Sequence, residues 1–92
     1  MDRTPENGIP EPDEVLDVRG HACPVPATEA RKRLDRMAPG QILEVIATDP
    51  LAVVDLQILC DRCGHSVLDS RETAALVTIW IRVSPGHPPG AG

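Results

Sequence analysis

The stretch Leu16-Asp17-Val18-Arg19-Gly20-His21-Ala22-Cys23-Pro24-Val25-Pro26 passes from one kind of local structure to another with almost no spacer. Val15 to Val18 is a short apolar run that reads as a strand, and Arg19-Gly20 is the turn that ends it. Pro24 and Pro26 come next, and helices tolerate proline in the first turn, where the backbone N–H has no intrahelical partner. Ala27, Ala30, Leu34 and Met37 then recur at helical spacing, with Glu29, Arg31, Lys32, Arg33 and Arg36 on the remaining faces. The pattern predicts a strand, a turn and an amphipathic helix, with Cys23 at or next to the helix N-cap.

Working outward, Pro39-Gly40 closes this helix and the β-branched run Ile42 to Thr48 predicts a second strand. Asp49-Pro50 opens a second helix that runs through Cys63 and stops at Gly64. Its apolar stripe is Ala52, Leu56, Leu59 or Cys60, and Cys63. His65 to Glu72 is a weaker strand and Ala74 to Val83 the clearest one. There Val77, Ile79, Ile81 and Val83 share one face, and Thr78, Trp80 and Arg82 the other. The order βαβαββ predicts an α/β (α+β) two-layer sandwich, a four-stranded mixed sheet with both helices on one face. Trp80, with Ile42 and Ile46, is expected on the open face, as a partner or self-association patch or, more plainly, as cover for a sheet edge or a tail.

Ninety-two residues suffice for one small domain. Hydrophobic residues make up 41% and charged residues 25%, which excludes wholesale disorder. Trp80 is the only aromatic residue, so the core must be aliphatic, and a nucleic-acid surface of stacked rings has no material. The formal net charge of −5 also argues against phosphate binding. Residues 1–14 hold five acids against one base and read as a flexible acidic tail, whereas 15–83, the domain, hold nine acids against eight bases. Residues 84–92, rich in Pro and Gly, read as a second flexible tail. No apolar run suits a signal peptide or a bilayer span, so a reducing cytoplasm is the expected location. There three cysteines, an odd number, more often do chemistry than staple a fold.

A cysteine at a helix N-terminus meets unpaired backbone N–H groups and the positive end of the helix dipole. Such settings lower a thiol pKa from about 8.5 to as little as about 3.5 when cations help, and the thiolate is the nucleophile. Arg19 and His21 are nearby in sequence, and Val25 and Ala27 are the first-turn donors that the prolines leave. Spacing alone leaves two readings of Cys23 about equal, a reactive thiol and a small buried hydrophobe.

The segment 16–26 resembles the signature of the TusA/SirA-like sulfur-carrier family, a Cys-Pro-x-Pro element after a short strand and a glycine. Pro39-Gly40-Gln41, Thr48-Asp49-Pro50, Asp55, Cys60 and Gly64-His65 also fall where that family has similar elements, so the resemblance spans roughly 15–83. It implies the βαβαββ sandwich already read from periodicity. It further implies a cytoplasmic sulfurtransferase-type carrier that holds sulfur as a persulfide on Cys23 and does not turn over alone. Pro24 and Pro26 would make the helix start rigid, and Arg19 is a candidate stabiliser of the thiolate or persulfide. The implied partners are a cysteine desulfurase or rhodanese-like donor and a downstream acceptor protein, with no nucleic acid, no membrane and no cofactor. Monomer or weak dimer is the expected state, and the receiving pathways are tRNA thiolation, molybdenum-cofactor or selenium chemistry, or sulfur oxidation. Two positions depart from the family: His21 replaces an aliphatic or polar residue, and no aromatic residue precedes Cys60. His21 is a candidate for proton transfer, against the plainer reading of a solvated loop histidine.

Cys60-Asp61-Arg62-Cys63-Gly64-His65 carries the rival chemistry, a zinc site built on Cys60, Cys63 and His65. Against it, the pair sits at a helix C-terminus and no second Cys-x-x-Cys exists; packing is the favoured role. His65 is expected at the last helix carbonyls. A lesser role for Cys60 or Cys63 is to resolve Cys23 on oxidation. Arg31, Lys32, Arg33 and Arg36 make the first helix basic outside, either as a solvated face or as a guide for an acidic partner. A non-catalytic interaction or regulatory module is the alternative from another functional class.

Overall fold

Alternation along the last strand sorts the molecule into layers: Val77, Ile79, Ile81 and Val83 are buried, while Thr78 and Trp80 between them are half-buried. A computed structural model describes residues 11–22 and 25–86. It contains β1 (Glu14–Asp17), α1 (Val25–Arg36), β2 (Ile42–Ala47), α2 (Leu51–Cys63), β3 (Ser66–Glu72) and β4 (Val77–Arg82). The sheet runs β1-β2-β4-β3, with β1 parallel to β2 and both other pairings antiparallel. Both helices cover one face, as the βαβαββ order predicts.

Helix α1 buries Pro26, Ala30 and Leu34, and Met37 just beyond it, while α2 buries Ala52, Leu56 and Cys60. These side chains close on Leu16, Val18, Leu43, Val45, Ala47, on Val77, Ile79 and Ile81 of β4, and on Val83 just after it. The core is aliphatic throughout. Arg33 on α1 reaches Glu14 of β1 at 3.0 Å, an ion pair that ties the helix layer to the sheet edge.

The open sheet face departs from expectation. Ile42 is only 6% exposed, so it is no part of a free patch. Trp80 donates its indole N–H to Glu44 Oε1 at 2.8 Å, and the Arg71 guanidinium lies 5.9 Å from its ring centre. Register explains both contacts: Trp80 pairs with Glu44 across one ladder and Asp69 across the other, and Arg71 is the next outward residue. A shift in register between Val67 and Asp69 leaves Leu68 as the extra residue of a bulge, which is why β3 alternates weakly.

Of the segments expected to be tails, residues 1–10 and 87–92 lie outside the described residues. Asp13 exchanges bonds with Ile42, donating its N–H to the carbonyl at 2.8 Å and accepting the Ile42 N–H on Oδ2 at 2.7 Å. Ser84 donates its N–H to His65 Nδ1 at 2.9 Å.

Candidate functional site

The loop between β1 and α1 is held bond by bond up to the cysteine. Val18 N–H donates to Ile46 O at 2.8 Å, continuing the β1–β2 ladder. Arg19 N–H donates to Asp17 Oδ1 at 3.0 Å, Gly20 N–H to Thr48 Oγ1 at 2.9 Å, and His21 N–H to Val18 O at 3.2 Å. Gly20 has φ +83°, a left-handed conformation that glycine adopts without strain. Beyond the cysteine, Val25 N–H donates to Ala22 O at 3.0 Å and α1 begins. Cys23 and Pro24 themselves lie outside the described residues.

The other expected members of the site are placed as follows. Pro26 is the second residue of α1 and is buried, so the helix start is anchored in the core. Val25 N–H is committed to Ala22, which removes one of the two donors expected for the thiol. The Arg19 guanidinium makes a two-pronged contact with Asp17, Nε to Oδ1 at 2.9 Å and Nη2 to Oδ2 at 2.7 Å. That contact lowers the Asp17 carboxyl to about 2 and raises the Arg19 pKa. The cation that sequence offered to Cys23 is neutralised locally. His21 is exposed in the loop.

Cys60, Cys63 and His65 do not gather. Among the described residues no group of three or more His, Cys, Asp or Glu is arranged to hold a metal ion. Cys60 is wholly buried, and burial, with Cys63 and Asp61 adding, pushes its thiol up to about 12. Such a thiol stays protonated at neutral pH and packs in the core. Gly64, with φ +81°, caps α2 by donating its N–H to Cys60 O at 2.8 Å. His65 turns inward, and its Nδ1 accepts the Ser84 N–H, a bond to the segment after β4 that local reading of the helix end did not foresee. Half-buried Cys63 lines a groove of about 430 Å³ between α1 and α2, with Ala27, Arg31, Asp55, Leu59 and Arg62. Asp55 Oδ2 is buried there without a hydrogen-bond partner.

Sequence reasoning passed over Thr48. The residue stood inside the quoted Thr48-Asp49-Pro50 element, but only the cross-strand register shows that its hydroxyl meets the loop after β1.

The fold and the anchored loop define a small two-layer α+β protein whose sequence has a cysteine just ahead of its first helix. A solved SirA-like protein from Desulfitobacterium hafniense shares the fold, with a TM-score of 0.70 at 20% identity over 77% of this chain and 97% of that one. The profile of the Sulfurtransferase TusA family matches residues 14–83, and the chain belongs to that family. Relatives include the sulfur carrier protein TusA of Allochromatium vinosum, 42% identical over 78% of this chain and 95% of that protein. The sulfur carrier protein TusA of Pseudomonas putida strain GB-1 is 39% identical over 77% and 89%. Sulfur transfer is the general activity that this membership supports. Among the described residues no helix is long and apolar enough to cross a membrane.

Proposed function

We propose that this chain carries sulfane sulfur as a persulfide on Cys23 and hands it to a cysteine of an acceptor protein. The observation that carries this reading is the sorting of the cysteines. Cys60 is buried with its thiol pushed up to about 12, and Cys63 is half-buried in the last turn of α2. Cys23 alone stands at the opposite kind of helix end, two residues ahead of α1.

In the loading step the Cys23 thiolate attacks the terminal sulfur of a donor persulfide. The new S–S bond forms on Cys23, the donor's own S–S bond breaks, and its electron pair leaves on the donor cysteine as a thiolate. In the unloading step the acceptor thiolate attacks the terminal sulfur now on Cys23, which departs as a thiolate. Neither step needs an outside oxidant or reductant. Arg19 is bound to Asp17, so the backbone at the start of α1, rather than Arg19, supplies the stabilisation of the anion. The buried Pro26 keeps that start fixed. The donor is a cysteine desulfurase or rhodanese-like protein, and the exchange takes place in a reducing cytoplasm.

Incubation with a cysteine desulfurase and cysteine, followed by intact-mass spectrometry, tests the reading. One or more added sulfur atoms, removed by reductant and absent from Cys23→Ser, are expected. Loading that survives Cys23→Ser refutes the assignment.

A further inference from the structure

Thr48 belongs to no ion pair, sits on the surface, and contributes nothing to the core. Its hydroxyl oxygen nevertheless accepts the Gly20 N–H at 2.9 Å, across 28 residues of sequence. The other N–H bonds of this loop stay within the loop or continue the sheet: Val18 to Ile46 O, Arg19 to Asp17, His21 to Val18 O, and Val25 to Ala22 O. In the Thr48 bond a side chain from the β2–α2 loop holds the backbone of the β1–α1 loop.

Resting on the reading of Cys23 as the carrier, we propose that Thr48 is a positioning residue of the transfer site, holding through Gly20 the loop that delivers Cys23 to the start of α1. Two features make it suited to this. Thr48 directly follows β2, and the next residue, Asp49, accepts the Leu51 N–H on Oδ1 at 2.9 Å, so the chain on both sides of it is fixed. Its β-branched side chain has few χ1 choices, so the acceptor oxygen is held in place at little entropic cost. On the other side of the bond Gly20 is left-handed with no heavy atom within 4 Å of where a Cβ would stand, so no side-chain packing at that position adds to the hydrogen bond. Without the bond, Arg19 to Ala22 keep only their bonds within the loop, and the run that leads to Cys23 gains freedom.

The test compares Thr48→Val, which keeps the branched shape and removes the acceptor, with Thr48→Ser, which keeps the hydroxyl. Inorganic polysulfide serves as the probe, since it needs no protein docking. The Cys23 thiolate takes one sulfur from it, an S–S bond of the polysulfide breaks, and the electron pair leaves on the shortened polysulfide. The Cys23 peptide is followed by mass spectrometry, for sulfur uptake and for the pH profile of alkylation by iodoacetamide. Loss of one such bond is expected to slow uptake about three- to tenfold in Thr48→Val and to move the alkylation inflection to higher pH, with Thr48→Ser close to the parent. Unfolding midpoints of all three proteins show whether a slow variant is merely unstable; Ser that rescues uptake and inflection without matching the midpoint supports positioning. Thr48→Val with parental uptake and inflection overturns the inference while leaving the function intact. Uptake by the parent at a residue other than Cys23 overturns the function itself.

Discussion

Cys60 and Cys23 share a side chain and differ in everything that surrounds it. The thiolate of Cys60 has no water around it and a neighbouring Cys63 and Asp61 that disfavour its charge, so the folded protein holds the thiol protonated to about pH 12, against 9.0 in the unfolded chain. Because the pKa is raised on folding, its contribution to stability is complete below pH 9 and is lost as pH rises through about 12. Denaturation midpoints measured across that window are therefore expected to fall more steeply in the parent than in Cys60→Ala; parallel curves would show Cys60 to be uninvolved. The opposite sign holds for Asp17. Its carboxyl is drawn from 3.8 down to about 2 by the Arg19 side chain and N–H, so the contribution of this exposed pair is present above pH 3.8 and disappears as pH falls through about 2. A carbon-13 carboxyl titration should place its midpoint near 2, and in Arg19→Ala part of the way back toward the ordinary value, since the backbone N–H at 19 remains; a midpoint of ordinary value in the parent removes the pair in solution. The two titrations report on neighbouring questions, which cysteine is inert and which cation is already spoken for.

At the level of elements, the two helices differ in how they stop and start. α2 ends because Gly64 enters the left-handed region at φ +81° and returns its N–H to Cys60 O, which also turns His65 inward toward Ser84. A Cβ at Gly64 would come no closer than 3.9 Å to Ser84 Oγ, so Gly64→Ala costs conformational strain and no clash. About 1–2 kcal/mol of lost stability is expected, read from chemical denaturation, with Gly64→Asn losing less; an unchanged midpoint for Ala would mean that the helix end relaxes freely. These ends were legible in the sequence because proline and glycine act locally. Helix α1 and strand β4 were equally legible, since Ala30, Leu34 and Met37, and Val77 to Val83, repeat at the period of their element. Strand β3 was fainter because the bulge at Leu68 interrupts the alternation. What periodicity could not supply was partnership across the sheet: Glu44 and Arg71 around Trp80, Thr48 on Gly20, and Ser84 on His65 all depend on register between distant segments. The cysteine motif was visible as a motif, and the anchoring of its loop was not.

For the molecule as a whole, charge decides how a partner approaches. The formal net charge is −5, yet α1 presents Arg31, Lys32, Arg33 and Arg36, and the structure shows that these are not equivalent. Arg33 is half-buried and pairs with Glu14 of β1, and Lys32 pairs with Glu29 at 3.3 Å. Arg31 reaches Asp35 only at 4.0 Å, and Arg36 bonds the Lys32 carbonyl rather than an acid. Arg31 and Arg36 therefore project the field that an acidic donor would feel, while reversing Arg33 mainly breaks a strut between layers. Exposed charges act over a Debye length of about 10 Å at 0.1 M salt and far less at 1 M. Loading by a cysteine desulfurase is accordingly expected to slow several-fold in Arg31→Glu/Arg36→Glu at low salt, with the gap to the parent closing as salt rises. Arg33→Glu should lower the unfolding midpoint and have a smaller salt-dependent effect on loading. If the double reversal loads at the parental rate in low salt, the basic helix is a solvated face, and the donor finds Cys23 by contacts that lie elsewhere.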